Sequence, residues 1–178
     1  MEIPGVELRA LQTHGDERGS VTELFRQGWA DGSYVQWNYV RSAEGVLRGV
    51  HGHFRHADYL AILEGTAFIG LKDLRQDSPA LGNTALIEMT GEKLQTLTIP
   101  AGVAHGFYFA RPSTLVYAVT HYWDTADELG CRWDDPELGI PWPVQSVRLS
   151  RRDEALPSFR VFSQQLQERM AEAGALRS

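Results

Sequence analysis

An all-β fold, a sandwich, jelly roll or barrel with one helix added near the C-terminal end, is what this sequence predicts, and three observations carry it. Between Val35 and Thr120, short runs rich in Val, Ile, Leu, Tyr and Phe are punctuated by glycines at 45, 49, 65, 70, 82, 91, 102 and 106, the spacing of many strands joined by tight turns. Within that stretch Leu115 to Tyr122 alternates. Tyr117, Val119 and His121 fall on one face, and Val116, Ala118, Thr120 and Tyr122 on the other. From Val161 to Leu176 the period changes: Phe162, Leu166 and Met170 recur every fourth residue among Gln, Glu and Arg, the pattern of an amphipathic helix.

A chain of 178 residues with 43% hydrophobic and 22% charged residues suffices for one domain with a sizeable core and is short for two. A single domain over residues 1–178 is therefore expected, with a β body at about 16–160 and a helix at about 161–176. No repeat of 20 to 50 residues and no low-complexity tract is visible. The net charge is -6 with both signs interspersed, so there is no basic stripe for nucleic acid or an anionic membrane. No apolar run approaches the ~20 residues of a membrane span, and Glu2 and Glu7 interrupt the opening segment, so neither a span nor a secretory signal is expected. The reading is a cytoplasmic chain. Cys131 is the one cysteine, which excludes an internal disulfide and a cysteine zinc site and leaves a small packed side chain.

Chemistry concentrates in the histidines. His51, His53 and His56 fall within one short stretch, followed by Asp58, and His105 comes after Pro100 and Gly102. Two apart on a strand, His51 and His53 share a face and can point together into a barrel, where Asp58 and His105 can join them. For His14, His56 and His121 the expectation is a satisfied core group or a partly exposed surface residue. The spacing around the others resembles the two cupin motifs. Gly45, five residues, His51-x-His53, four residues, Asp58, six residues and Gly65 match the first, and Pro100-x-Gly102-x-x-His105 matches the second. That resemblance implies a cupin-type double-stranded β-helix, a jelly-roll barrel. In metal-binding cupins the positions of His51, His53, Asp58 and His105 hold a divalent ion.

A closer resemblance covers about Asp16 to Phe159. Asp16-Glu17-Arg18-Gly19 with Glu23, Gln36-x-Asn38, Val46-Leu47-Arg48-Gly49-Val50-His51, Asp73-Leu74-Arg75, Ile99-Pro100-Ala101-Gly102-Val103-Ala104-His105-Gly106-Phe107, Tyr117, Trp133-Asp134-Asp135-Pro136 and Leu149-Ser150 with Asp153 are similar to the dTDP-4-dehydrorhamnose 3,5-epimerase family. The resemblance implies inversion of C3 and/or C5 of a nucleotide-linked 4-keto-6-deoxyhexose in deoxysugar biosynthesis, with no cofactor. It gives His51 the role of base, Asp153 that of its orienting carboxylate and Tyr117 that of the acid on the opposite face. It implies a substrate-binding set of Arg48 on the diphosphate, Gln36 and Asn38 on sugar or base edges, and His105, with His53, Asp58 and Glu128 alongside. Arg18 and Glu23 would reach into the neighbouring subunit's site, which implies a homodimer. Trp133 and Trp142 would stack on a ligand or simply pack.

At two positions the sequence departs from the family's pattern, which reads RGLHxQ and then a QxKL-type stretch. His53 stands in place of the glutamine and Asp58 in place of the lysine. The lysine is the group expected to support an enolate oxygen, and an ionised aspartate there would repel it. His53, protonated beside Asp58, is one substitute. A divalent ion is another, but a His51 that ligates a metal has no lone pair left to act as base. The Arg48-Gly49-x-His51-x-His53 stretch also resembles the sugar 3,4-ketoisomerases, in which two histidines shuttle protons. A metal-binding or non-catalytic sugar-binding cupin remains the further alternative.

Overall fold

The computed structural model describes residues 2–175, so the expected helix end at Leu176 lies outside the described residues. In chain order the strands are β1 (Glu7–Ala10), β2 (Thr13–Asp16), β3 (Gly19–Thr22), β4 (Gln36–Ser42), β5 (Leu47–Gly52), β6 (Asp58–Glu64), β7 (Thr66–Asp73), β8 (Thr84–Thr90), β9 (Gln95–Ile99), β10 (Val103–Phe109), β11 (Ser113–Val119) and β12 (Leu129–Gly130). Two helices follow, α1 (Arg151–Glu154) and α2 (Phe159–Ala175). One sheet runs β1-β9-β6-β11-β4 and the other β12-β5-β10-β7-β8, all antiparallel, with β2 and β3 paired as a separate hairpin. Chain neighbours such as β5 and β6 lie in different sheets, as a jelly roll requires.

Period-2 alternation divides the space between the sheets. Along β6, Asp58, Leu60 and Ile62 share a face, and along β11 so do Leu115, Tyr117 and Val119. Leu60, Ile62, Ile69, Leu71, Leu97, Ile99, Phe109 and Leu115 fill the barrel at one end. Toward the other end the same faces carry Asp58 and Tyr117, so an apolar floor gives way to a polar mouth. The β4 strand lies at a sheet edge, with Trp37 and Tyr39 exposed on its outer face.

A second core forms on the outer face of the other sheet, where Phe162 and Leu166 of α2 pack with Val50, Ala104, Cys131 and Leu138, and Met170 packs at its margin. The helix thus presents the predicted i, i+4, i+8 stripe. It starts at Phe159 rather than Val161 because the Phe159 N–H donates to Asp135 Oδ2 at 2.9 Å, satisfying an end group that would otherwise face the core. Contact is close: a Cβ at Gly52 would lie 2.7 Å from Phe162, and one at Gly70 would lie 2.5 Å from Trp142. Trp133 and Trp142 pack in this cluster, with the Trp142 indole donating to the Trp133 carbonyl at 3.2 Å, so both are packing residues. Cys131 is fully buried there.

Two elements escape sequence periodicity. The β2–β3 hairpin is mostly exposed and polar, and α1 is one turn long, held by the Ser150 cap whose Oγ accepts from the Asp153 N–H at 3.1 Å. The alternation expected through Tyr122 ends with β11 at Val119. His121 lies beyond it, exposed, with Nδ1 2.9 Å from the Tyr122 carbonyl, and does not share the inward face of Tyr117. Among the described residues no helix is long and apolar enough to cross a membrane.

Candidate active site

At the polar end the sheets enclose a cavity of about 250 Å³. From one wall, β5 presents His51. Its Nε2 lies 2.8 Å from Asp153 Oδ1, and Ser150 donates to Asp153 Oδ2 at 2.9 Å. The short helix α1 exists to make this contact, since its cap residue and its carboxylate hold each other. Burial works to raise the Asp153 pKa, but the hydrogen bonds from His51 and Ser150 and the charge of Arg152 outweigh it and hold the carboxyl below the usual range. An ionised acceptor fixes the His51 proton on Nε2 and leaves the lone pair on Nδ1 of a ring that lines the cavity.

The opposite wall belongs to the other sheet. Tyr117 lines the cavity from β11, its phenol pushed up in pKa by burial and by the charges of Asp58 and Glu128, against the opposing effect of Arg48. It therefore stays protonated at neutral pH. On β4, Gln36 donates to Asn38 Oδ1 at 3.0 Å and accepts from the Trp123 N–H, while the buried Asn38 Nδ2 has no hydrogen-bond partner among the described residues and sits on the cavity wall. Arg48 is steadied by Ser42 Oγ at 3.0 Å and reaches the rim.

Between the walls lies a buried cluster of histidines and acids. His53 and His56 stack with ring centroids 4.0 Å apart. Both are tied to Asp127, His53 Nδ1 to its carbonyl at 2.9 Å and His56 Nδ1 to its carboxylate at 2.8 Å. Burial and the neighbouring His56 lower the His53 pKa to about 3, so the imidazolium suggested as a lysine substitute does not form there. His56 shifts the other way: burial opposes charging, but the hydrogen bond to Asp127 and the charges of Asp58, Asp127 and Glu128 prevail. His105 is pushed well down by burial and by His53, and donates from Nδ1 to the Val103 carbonyl at 3.1 Å. Burial raises Asp58 to about 7, with Glu128 and Asp127 adding to the rise and His56 opposing it.

The structure thus gathers His51, Asp153, Tyr117, Asn38, Arg48, His53, Asp58, His105 and Glu128 around one cavity, with Gln36 just behind Asn38. The four-ligand metal set does not assemble. His53, Asp58 and His105 each offer a ligand atom within 4.8 Å of the other two, whereas His51 stands apart on Asp153. Arg18 and Glu23 do not reach the cavity of their own chain: Arg18 is ion-paired with Asp16 on the hairpin and Glu23 with Arg26, all largely exposed. His14 is exposed as expected, but His56 is a wall residue as well as a satisfied one. Asp127, Ser150 and Arg152 were missed. Arg152 bonds Glu128 at 2.6 Å, and Asp127 closes a 3-10 turn capped by Asp124, the one local signal that could have found it.

The chain matches the dTDP-4-dehydrorhamnose 3,5-epimerase family over residues 1–161. It is 35% identical over 169 residues to the dTDP-4-dehydrorhamnose 3,5-epimerase of Pseudomonas aeruginosa, covering 89% of this chain and 93% of that protein. To the protein of the same name from Neisseria gonorrhoeae it is 35% identical over 155 residues, covering 83% of this chain but 47% of that protein, so it spans about half of that relative. Among solved structures, dTDP-6-deoxy-D-glucose-3,5-epimerase from Legionella pneumophila, in complex with dTDP-4-keto-L-rhamnose, superposes with a TM-score of 0.86 at 30% identity, covering 93% of this chain and 94% of that one.

Proposed function

The chain belongs to the dTDP-4-dehydrorhamnose 3,5-epimerase family, and from that membership we propose that it inverts C3 and/or C5 of a nucleotide-linked 4-keto-6-deoxyhexose by proton abstraction and return. One observation carries the proposal: the His51–Asp153 pair and Tyr117 line the same cavity from different sheets. Inversion needs a base and an acid on opposite faces of one carbon. In this reading His51 Nδ1 takes the proton from the carbon beside the ketone, and the electron pair of the broken C–H bond moves into the enolate. Asp153 stabilises the imidazolium that results. Tyr117 then donates its proton to the other face.

Arg48 suits the diphosphate, since a guanidinium can bridge two phosphate oxygens, and the free Asn38 Nδ2 offers a donor to a sugar or base oxygen. Gln36, His105, Glu128, His53 and Asp58 complete the binding set. Arg18 and Glu23 project on an exposed segment away from their own cavity, which suits a homodimer in which each completes the partner's site. The charge pattern fits a cytoplasmic enzyme acting in polysaccharide or secondary-metabolite glycosylation.

The test is proton NMR of dTDP-4-keto-6-deoxyglucose with the protein in deuterium oxide. Deuterium entering at C3 or C5 with inversion is expected. A migrated carbonyl would replace the epimerase by a ketoisomerase, and absence of any exchange would leave a binding protein.

A further inference from the structure

We propose that His53, Asp58 and His105 form a binding site for one divalent first-row transition-metal ion, with His51 outside the ligand set. The site stands on donor geometry and does not rest on the substrate assignment. His53 Nδ1 lies 2.9 Å from the Asp127 carbonyl, and His105 Nδ1 lies 3.1 Å from the Val103 carbonyl. A backbone carbonyl only accepts, so each Nδ1 carries its proton and each Nε2 presents a lone pair. Outer nitrogen bonded to a carbonyl and inner nitrogen free is how proteins orient imidazoles onto a metal.

The third donor is Asp58, which is 5% exposed and makes no hydrogen bond from its carboxyl among the described residues. Its nearest ring nitrogens are His105 Nε2 at 3.8 Å and His56 Nε2 at 3.9 Å. The ligand atoms of His53, Asp58 and His105 all lie within 4.8 Å of one another. Two imidazole lone pairs and a carboxylate that converge in a buried pocket suit a cation between them, one that competes with the His56 proton for Asp58. Around a tetrahedral ion with bonds of roughly 2.0–2.2 Å, donor atoms sit about 3.3–3.6 Å apart, so a contact of 3.8 Å closes by a small side-chain rotation.

The neighbouring group of His53, His56 and Asp127 is different, because hydrogen bonds already link both rings to Asp127. Two imidazoles and one carboxylate favour zinc, iron(II) or cobalt(II) over magnesium or calcium, and three protein ligands leave a position open to the cavity. A bound ion supplies Lewis acidity at a carbonyl oxygen, at the place where Asp58 stands for the lysine of the family pattern. His51, held by Asp153, keeps its lone pair, so base and metal site coexist.

The test uses the full chain, stripped with chelator and dialysed, titrated with cobalt(II) by calorimetry and by visible absorption, with zinc content measured by mass spectrometry after loading. One ion per chain is expected. Asp58→Asn and, independently, His53→Gln should each weaken cobalt binding by about 100-fold or more, because a lost ligand exceeds the roughly 10- to 100-fold cost of a lost outer partner. His51→Asn should bind within about threefold of the parent. Thermal melts establish that each variant is folded. No stoichiometric binding by the parent chain, binding that survives both ligand substitutions, or binding lost in His51→Asn would each overturn the proposal. Deuterium exchange by the stripped protein reports on the epimerase reading separately.

Discussion

Replacing Asp153 with asparagine tests the proposed base most directly. The carboxylate accepts from His51 at 2.8 Å and from Ser150 at 2.9 Å, and the residue is 6% exposed, so the isosteric amide fits without a cavity. The amide can keep its oxygen toward His51, but it carries no charge to set against an imidazolium. A hydrogen bond to a charged group is worth about 1.5–3 kcal/mol. At about 1.4 kcal/mol per decade, that removes roughly 10- to 150-fold from kcat. Should the amide turn its nitrogen to the ring, the tautomer reverses and the loss grows toward ~10⁴-fold. KM should move little, because Asp153 acts through His51. The assay is the initial rate of deuterium incorporation at pH 7.5, well above the range where Asp153 protonates. A variant that exchanges within twofold of the parent from pH 6 to 9 would refute the assignment of His51 and Asp153 as the base.

Tyr117→Phe should still take up deuterium but return it to the face it left, so exchange persists while inversion falls by about 10²- to 10⁴-fold; NMR coupling constants of the product distinguish the two. Asp73, fully buried, is held ionised against burial by Arg75 and Ser78, and Asp73→Asn should lower stability by about 2–3 kcal/mol in urea titrations at pH 7. A folded pKa below the unfolded 3.8 means this stability is present above about pH 4 and fades as the pH falls through the folded value, so parent and variant should converge in acid. Gly52→Ala forces a methyl to 2.7 Å from Phe162 and should cost about 1–3 kcal/mol, seen as a Tm lower by roughly 3–10 °C, with metal binding retained.

Legibility followed the range of the contacts. The inward face of Tyr117 and the α2 stripe follow from short periods along the chain, which the pleat and the helical turn translate directly into faces, whereas His105 was found through its motif and His53 reaches the cavity from just beyond the end of β5 at Gly52. The ends were harder. Val119 closes β11 because the chain leaves the sheet there, which alternation through Tyr122 could not show. Asp127 binds two histidines more than seventy residues earlier, and no local period encodes such a partner. Asp153 was placed only by family resemblance, because Arg151-Arg152-Asp153 reads equally as a solvated surface. The same holds for His56, whose sequence surroundings do not distinguish a satisfied core imidazole from a wall of the site.

His51 and Asp153 are separated by 102 positions along the chain. Strands β1 to β11 can pair once β11 has been made, yet the base has no orienting carboxylate until more than thirty further residues have followed and α1 has docked. Barrel formation and competence are therefore distinct events in the life of the nascent chain, since contacts so remote in sequence form late. A chain halted near residue 148 would lack both the carboxylate that orients His51 and the helix α2 that covers Val50 and Ala104. Turnover in the proposed reaction would thus report that α1 has docked, in a way that binding to the same cavity does not.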